Sequence, residues 1–162
     1  MLSLTENAIR ASFLNASQRE RKAIPMPDLD AVVWDDLDYL GWRDAKLTHV
    51  GYVVVPGDDG PVGILLREAE QRTRTRPQCA WCEDVTLPND VVFFSARRAG
   101  AAGRNGNTIG TLVCEQFECS ANVRKLPPLA YLGYDVEAAR QRRIEALRVN
   151  VRRFADDLRS TI

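Results

Sequence analysis

Histidine is nearly absent from this 162-residue chain: there is one, His49, and no Ser/His/Asp set forms around it. A lone histidine without a neighbouring nucleophile reads as a surface or packing residue and not as a catalytic base. Paired carboxylates with an enclosing pocket signature are also missing, so no enzyme and no small-molecule substrate are expected. No apolar run approaches the roughly 20 residues that cross a bilayer, which excludes a helical membrane anchor from the expectation. The opening Met-Leu-Ser-Leu-Thr-Glu-Asn lacks the basic and then apolar regions of a secretory signal, so a cytoplasmic protein is expected. No repeat recurs at a solenoid period.

Net charge is missing as well, since 22 basic residues balance 22 acidic ones, and 45% of residues are hydrophobic. That is the composition of a folded soluble chain, sized for one domain or for a helical arm plus a smaller domain. The balance conceals an asymmetry. Residues 1–96 carry 10 basic and 15 acidic side chains, a net of −5, and residues 97–162 carry 12 and 7, a net of +5. A basic C-terminal half suits an anionic partner, either an acidic protein face or nucleic acid, or is simply a face solvated by arginine.

What the chain does have is four cysteines in a closed set, Cys79 and Cys82 with two residues between them, Cys114 and Cys119 with four. Thirty-one residues, Glu83 to Val113, separate the pairs. Short loops of this kind return a second sulfur to the side of the first, and thiolates about 2.3 Å from a zinc ion complete a tetrahedron. Four cysteines also allow three disulfide pairings, but an intracellular setting favours metal over disulfides. A redox role for Cys79 and Cys82 alone leaves the other pair unexplained. With four thiolates no position remains for an activated water, so the zinc is expected to be structural.

Around the cysteines the chain reads as α+β. Ser3 with Glu6, and Ser17 with Glu20, match the capping box, and Ile9, Phe13, Leu14 and Ala16 fall on one helical face before Pro25 and Pro27 end the arm. The acidic, aromatic run Asp28–Asp44 lacks the ligand spacing of a calcium loop. Its Trp34, Leu37, Leu40 and Trp42 are expected to fill a core edge with the aspartates facing water. Tyr52–Val55 and Val62–Leu66, joined by Pro-Gly-Asp-Asp-Gly-Pro, predict a hairpin. Glu68 to Arg76, with Arg72 and Arg74, reads as an exposed connection. Strands are predicted at Val91–Ala96 and Thr108–Val113, and a short helix follows Cys119. A long helix starts on Asp135 as N-cap, runs to about Ser160, and carries a stripe of Val136, Ala139, Ile144, Leu147, Val151, Phe154 and Leu158. The first cysteine pair at a hairpin and the second beside a helix start form the layout called a treble clef, spanning about 77–126. The division expected is a helical arm over 1–27 and one α+β domain over 28–162, with a C-terminal helix at about 135–160.

Between the last two strands lies Arg97-Arg-Ala-Gly-Ala-Ala-Gly-Arg-Asn-Gly-Asn107. It has no Lys-Ser/Thr of a P-loop and is not expected to open a helix, so it is a poor nucleotide cradle. Arg97, Arg98, Arg104 and Asn105 there make either a basic contact surface or an ordinary long hairpin connection.

Four stretches resemble a known family: Cys-Ala-Trp-Cys at 79–82, Phe-Ser-Ala-Arg-Arg-Ala-Gly at 94–100, Gly-Asn-Thr-Ile-Gly-Thr-Leu-Val-Cys at 106–114 and Cys-Ser-Ala-Asn-Val-Arg at 119–124. They are similar to the C-terminal treble-clef zinc-finger domain of the elongation-factor-G-binding proteins of the FusB type, as is Leu-Asp-Tyr-Leu-Gly-Trp-Arg-Asp at 37–44 to actinobacterial members. The resemblance implies a cytoplasmic zinc protein that binds elongation factor G, and in resistance members helps it leave ribosomes stalled by fusidic acid. It implies contacts around the zinc knuckle, the loop between the strands and the segment after the last cysteine, at Ala80, Trp81, Asn105, Thr108 and Leu129. This chain departs in its short helical arm and in carrying alanine, asparagine, threonine and leucine where the family has aromatic or lysine contacts. The alternative is a zinc-finger protein that holds rRNA or tRNA with its basic half. Such binders interleave stacking aromatics, and residues 97–162 offer only Phe117, Tyr131, Tyr134 and Phe154.

Overall fold

A hairpin of continuous apolar strands is the centre of the molecule. In the computed structural model, which describes residues 1–70, 75–86 and 88–160, β2 (Val50–Val55) and β3 (Val62–Glu68) pair antiparallel in register from Val50↔Arg67 to Val55↔Val62. Every residue of β2 is buried, which an antiparallel strand achieves only when both sheet faces are covered. The strand's alternation assigns the layers. Val53, Val55, Ile64 and Leu66 join one core cluster, and Val50, Tyr52, Val54 and Leu65 join another on the opposite face.

β1 (Leu40–Arg43), β4 (Val91–Arg97) and β5 (Thr108–Cys114) complete a five-stranded antiparallel meander in the order β1-β2-β3-β4-β5. β4 joins β3 through only two paired positions but runs the full length of β5, from Val91↔Cys114 to Arg97↔Thr108. β1 is a strand that the sequence pattern conceals, being four residues with a glycine and no alternation, inside an acidic run.

One face is covered by α1 (Glu6–Ser12) with Phe13, Ala16 and Ile24, while α2 (Gln18–Ala23), between the last two, buries none of its own residues. α1 begins later than its capping pattern predicts. Thr5 and not Ser3 is the N-cap, its Oγ1 accepting from the Ala8 amide at 3.2 Å. This choice puts Leu4 at N′ and Ile9 at N4, and both join the same apolar cluster, as in a hydrophobic staple. The capping box of α2 forms as predicted, Glu20 N donating to Ser17 Oγ and Ser17 N to Glu20 Oε2. Two 3₁₀ turns, Leu29–Ala31 and Trp34–Asp36, carry the chain into β1.

The aspartates of that run do not all face water. Asp38 and Asp44 are buried, each because polar partners replace the lost solvent. Asp38 accepts from Arg124 and Arg148, and Asp44 from the amides of Lys46 and Leu47 and the hydroxyl of Tyr52. Trp34, Leu37 and Trp42 do pack on the core edge, with Leu40 inside it.

The other face is covered by α5 (Val136–Arg159), preceded by α4 (Cys119–Arg124). Asp135 caps α5 through the Ala138 amide at 2.9 Å, and Ala139, Ile144, Leu147, Val151, Phe154, Ala155 and Leu158 are buried along one side. The segment between β4 and β5 departs from expectation, since it holds a short helix, α3 (Gly100–Arg104). The chain folds back so tightly there that a Cβ on Gly103 would sit 1.8 Å from the Arg98 carbonyl oxygen, and only glycine fits. The arginine-rich connection falls partly outside the described residues, at Arg72 and Arg74.

Candidate metal centre

Cys79, Cys82, Cys114 and Cys119 converge from a turn, a strand end and a helix start. Ala80 N donates to Leu112 O at 2.8 Å, which pins the first knuckle to the open edge of β5, and Glu83 N closes the turn on Cys79 O at 2.9 Å. Cys114 ends β5, and Cys119 opens α4. Both turns use left-handed backbone at a residue other than glycine, Glu83 with φ 57° and Phe117 with φ 60°. Such conformations cost about 1–3 kcal/mol and persist where surrounding contacts over-determine them.

At Phe117 those contacts are explicit. Its ring stacks on Phe94 at 5.3 Å and fills space left by Gly41 and Gly51, where a Cβ would come within 2.6 Å of it. The two glycines of neighbouring strands thus receive the second knuckle as a plug on the sheet.

All four sulfurs lie within 4.8 Å of one another and the residues are buried. Cys79 Sγ is 3.6 Å from Cys119 Sγ, and Cys82 Sγ is 3.7 Å from Cys114 Sγ. A zinc–sulfur bond of about 2.3 Å gives tetrahedral edges of about 3.8 Å. The four sulfurs therefore fit one zinc ion, and all are thiols and not disulfide-bonded. Packed this closely they cannot ionise independently. Hydrogen bonds from Cys114 and Cys119 hold Cys79 and Cys82 below the ordinary thiol value, while burial pushes Cys119 well above it. A divalent cation removes the conflict by taking all four as thiolates. The zinc is structural, since four thiolates leave no position for water or substrate.

Two donors support the sulfurs. The Cys82 amide reaches Cys79 Sγ at 3.5 Å, and Asn122 Nδ2 reaches Cys114 Sγ at 3.5 Å and Asn89 Oδ1 at 3.3 Å. The buried Tyr39 hydroxyl donates to Phe117 O at 3.2 Å and lies beside the Cys119 sulfur; burial first, and that sulfur second, hold its pKa well above the ordinary phenol value. Neither Asn122 nor Tyr39 stands out in the sequence as a site residue, although Asn122 lies inside the motif around Cys119.

The residues expected to meet a partner scatter. Ala80 is exposed on the first knuckle. Trp81 is not a surface residue: its ring is 2% exposed, between Tyr39 at 5.2 Å and Phe154 at 5.7 Å. Arg97, Arg104, Asn105 and Thr108 are exposed at the far end of β5 from the cysteines, about 20 Å away by strand geometry. Arg97 meets Glu20 at 3.1 Å, and Arg98 is spent on the carbonyls of Asp157 and of the C-cap Ser160 at the end of α5. Leu129 is 75% exposed and has company that the sequence reading missed. Leu126, Leu129, Tyr131 and Leu132, between α4 and α5, are each at least 60% exposed.

A model of the FBP C-terminal treble-clef zinc-finger family matches residues 8–158. Among solved structures, that of the fusidic acid resistance protein FusC is 21% identical with a TM-score of 0.46, over 61% of this chain and 43% of FusC, less than half of that protein's length. No protein of curated function matches the chain.

Proposed function

The chain belongs to the FBP C-terminal treble-clef zinc-finger family, and we propose that it is a non-enzymatic adaptor that binds elongation factor G in the cytoplasm and modulates its release from the ribosome. The observation that carries a protein-binding reading is the apolar segment beside the zinc centre. Four large apolar side chains, Leu126, Leu129, Tyr131 and Leu132, stand in solvent within seven residues. Clustered exposure of that kind marks interaction surfaces more often than chance. The segment is anchored at one end by α4, which begins on a zinc ligand, and at the other by the cap of α5. Zinc holds the scaffold, and binding takes place beside it.

The rival reading, a zinc-finger protein on rRNA or tRNA, draws on the basic C-terminal half. Much of that half is engaged internally: Arg124 and Arg148 with Asp38, Arg143 with Asp84, and Arg98 with the end of α5. Among the described residues no helix is long and apolar enough to cross a membrane.

The two are separated by a pull-down of purified elongation factor G with the zinc-loaded chain, with and without nuclease, at low and moderate salt. The adaptor reading expects capture that survives nuclease and drops at least about tenfold in Leu129→Asp combined with Leu132→Asp, as for central interface residues. Capture that vanishes with nuclease and falls steeply with salt supports RNA instead.

A further inference from the structure

The four thiolates are not equally protected. Cys79, Cys114 and Cys119 have no solvent exposure, and the first two also have a donor against the sulfur, from the Cys82 amide and Asn122 Nδ2 respectively. Cys82 differs in its access to solvent. It keeps 5% of its surface, and its sulfur pairs with the Cys114 sulfur at 3.7 Å. It also lines an open surface pocket together with Glu83, Tyr134, Ala139, Arg142 and Arg143.

A hydrogen bond to a zinc-bound thiolate draws off sulfur electron density and lowers its nucleophilicity, and burial blocks approach. We propose that Cys82 is a modification site, the one thiolate of the centre that reacts with soft electrophiles of the α,β-unsaturated carbonyl class, entering by the pocket between α5 and the first knuckle. In the step, Cys82 Sγ forms a bond to the β-carbon of the acceptor. The π pair of the broken double bond moves to the enolate, which takes a proton from water. The thioether that results is no longer a thiolate, so the zinc keeps three anionic ligands and is released more readily. The proposal rests on the metal centre alone and not on the identity of any protein partner.

The probe is N-ethylmaleimide, added at one equivalent to the full zinc-loaded chain, with peptide mapping by mass spectrometry and released zinc read with a chromophoric chelator. Cys82 is expected to carry about tenfold more adduct than any other cysteine, with zinc release following adduct formation. Adduct spread evenly over the four, or led by Cys79, Cys114 or Cys119, overturns the proposal. Asn122→Leu takes the donor from Cys114 and is expected to raise labelling there about tenfold without lowering it at Cys82. Unchanged labelling at Cys114 overturns the role given to this donor, and the wild-type map decides the site without the variant.

Discussion

Asp44 illustrates how much a single buried side chain does in this protein. It follows β1, and its carboxylate gathers the amides of Lys46 and Leu47 and the Tyr52 hydroxyl around the turn into β2. Burial raises its pKa, but the Leu47 and Lys46 amides and Tyr52 more than offset this and hold it below the ordinary aspartate value. Because the folded-state pKa lies below the unfolded one, its stabilisation is complete above about pH 4 and is lost as pH falls through the folded value. Asp44→Asn is expected to lower stability by about 1–3 kcal/mol at pH 7 and to flatten the acid limb of the melting temperature against pH. Parallel acid limbs for variant and wild type would count against this role. Nothing in the sequence separates Asp38 from the solvated aspartates near it, because its burial is created by partners up to 110 residues away, such as Arg148, whereas the partners of Asp44 lie within eight residues. Trp81 makes the same point in reverse. The family resemblance implies that it meets a partner, whereas Tyr39 and Phe154, remote from it in the chain, enclose it.

At the scale of elements, α5 is the most legible piece. Its cap, length and stripe were all local properties, and the structure keeps Asp135 as the cap and buries six of the seven predicted stripe positions, Val136 alone remaining half-exposed. The helix also reports on the metal centre, since Phe154 packs on Trp81 at 5.7 Å and Asn150 Nδ2 donates to Trp81 O at 3.1 Å. Phe154→Ala should cost about 3–5 kcal/mol, as other large-to-small core changes do. The check is a urea titration with tryptophan emission, expected to give a lower midpoint and an unchanged slope. A loss under about 1 kcal/mol would mean that the site collapses to fill the space. α3 was illegible for the opposite reason. Its five residues include two glycines and carry no periodic signal, and the turn is enforced from outside by Arg98 and Ala99 binding the end of α5.

For the whole molecule, the zinc centre is part of the main core and not an appended module. Cys79, Cys82, Cys114 and Cys119 share one apolar cluster with β2, β3 and α5, while Phe117 plugs the sheet between β1 and β2. Zinc binding to sites of this type is worth about 10–16 kcal/mol, which matches or exceeds the total stability of an ordinary domain. Chelation of the metal, or Cys114→Ser, is therefore expected to remove tertiary structure from both halves in one transition, with near-ultraviolet and far-ultraviolet circular dichroism falling together. A variant that keeps its metal content and melting temperature would show the ligand set to be wrong, and two separated transitions would show the finger to be independent.

By itself the sequence determined what depends on neighbours along the chain. Two closely spaced cysteine pairs define a zinc site because a short loop can return only to its own start, and capping residues and apolar periodicity mark α2, α5 and the β2–β3 hairpin by the same locality. Tertiary structure alone decided which side chains became interior and which stood free. It drew Trp81 and Asp38 inside, occupied Arg98 and Arg143, left Leu126, Leu129, Tyr131 and Leu132 in solvent, and buried three of the four zinc ligands fully while leaving Cys82 on the wall of a surface pocket. Burial and hydrogen-bond satisfaction are properties of packed surfaces, set by residues remote in the chain, so a local pattern does not contain them.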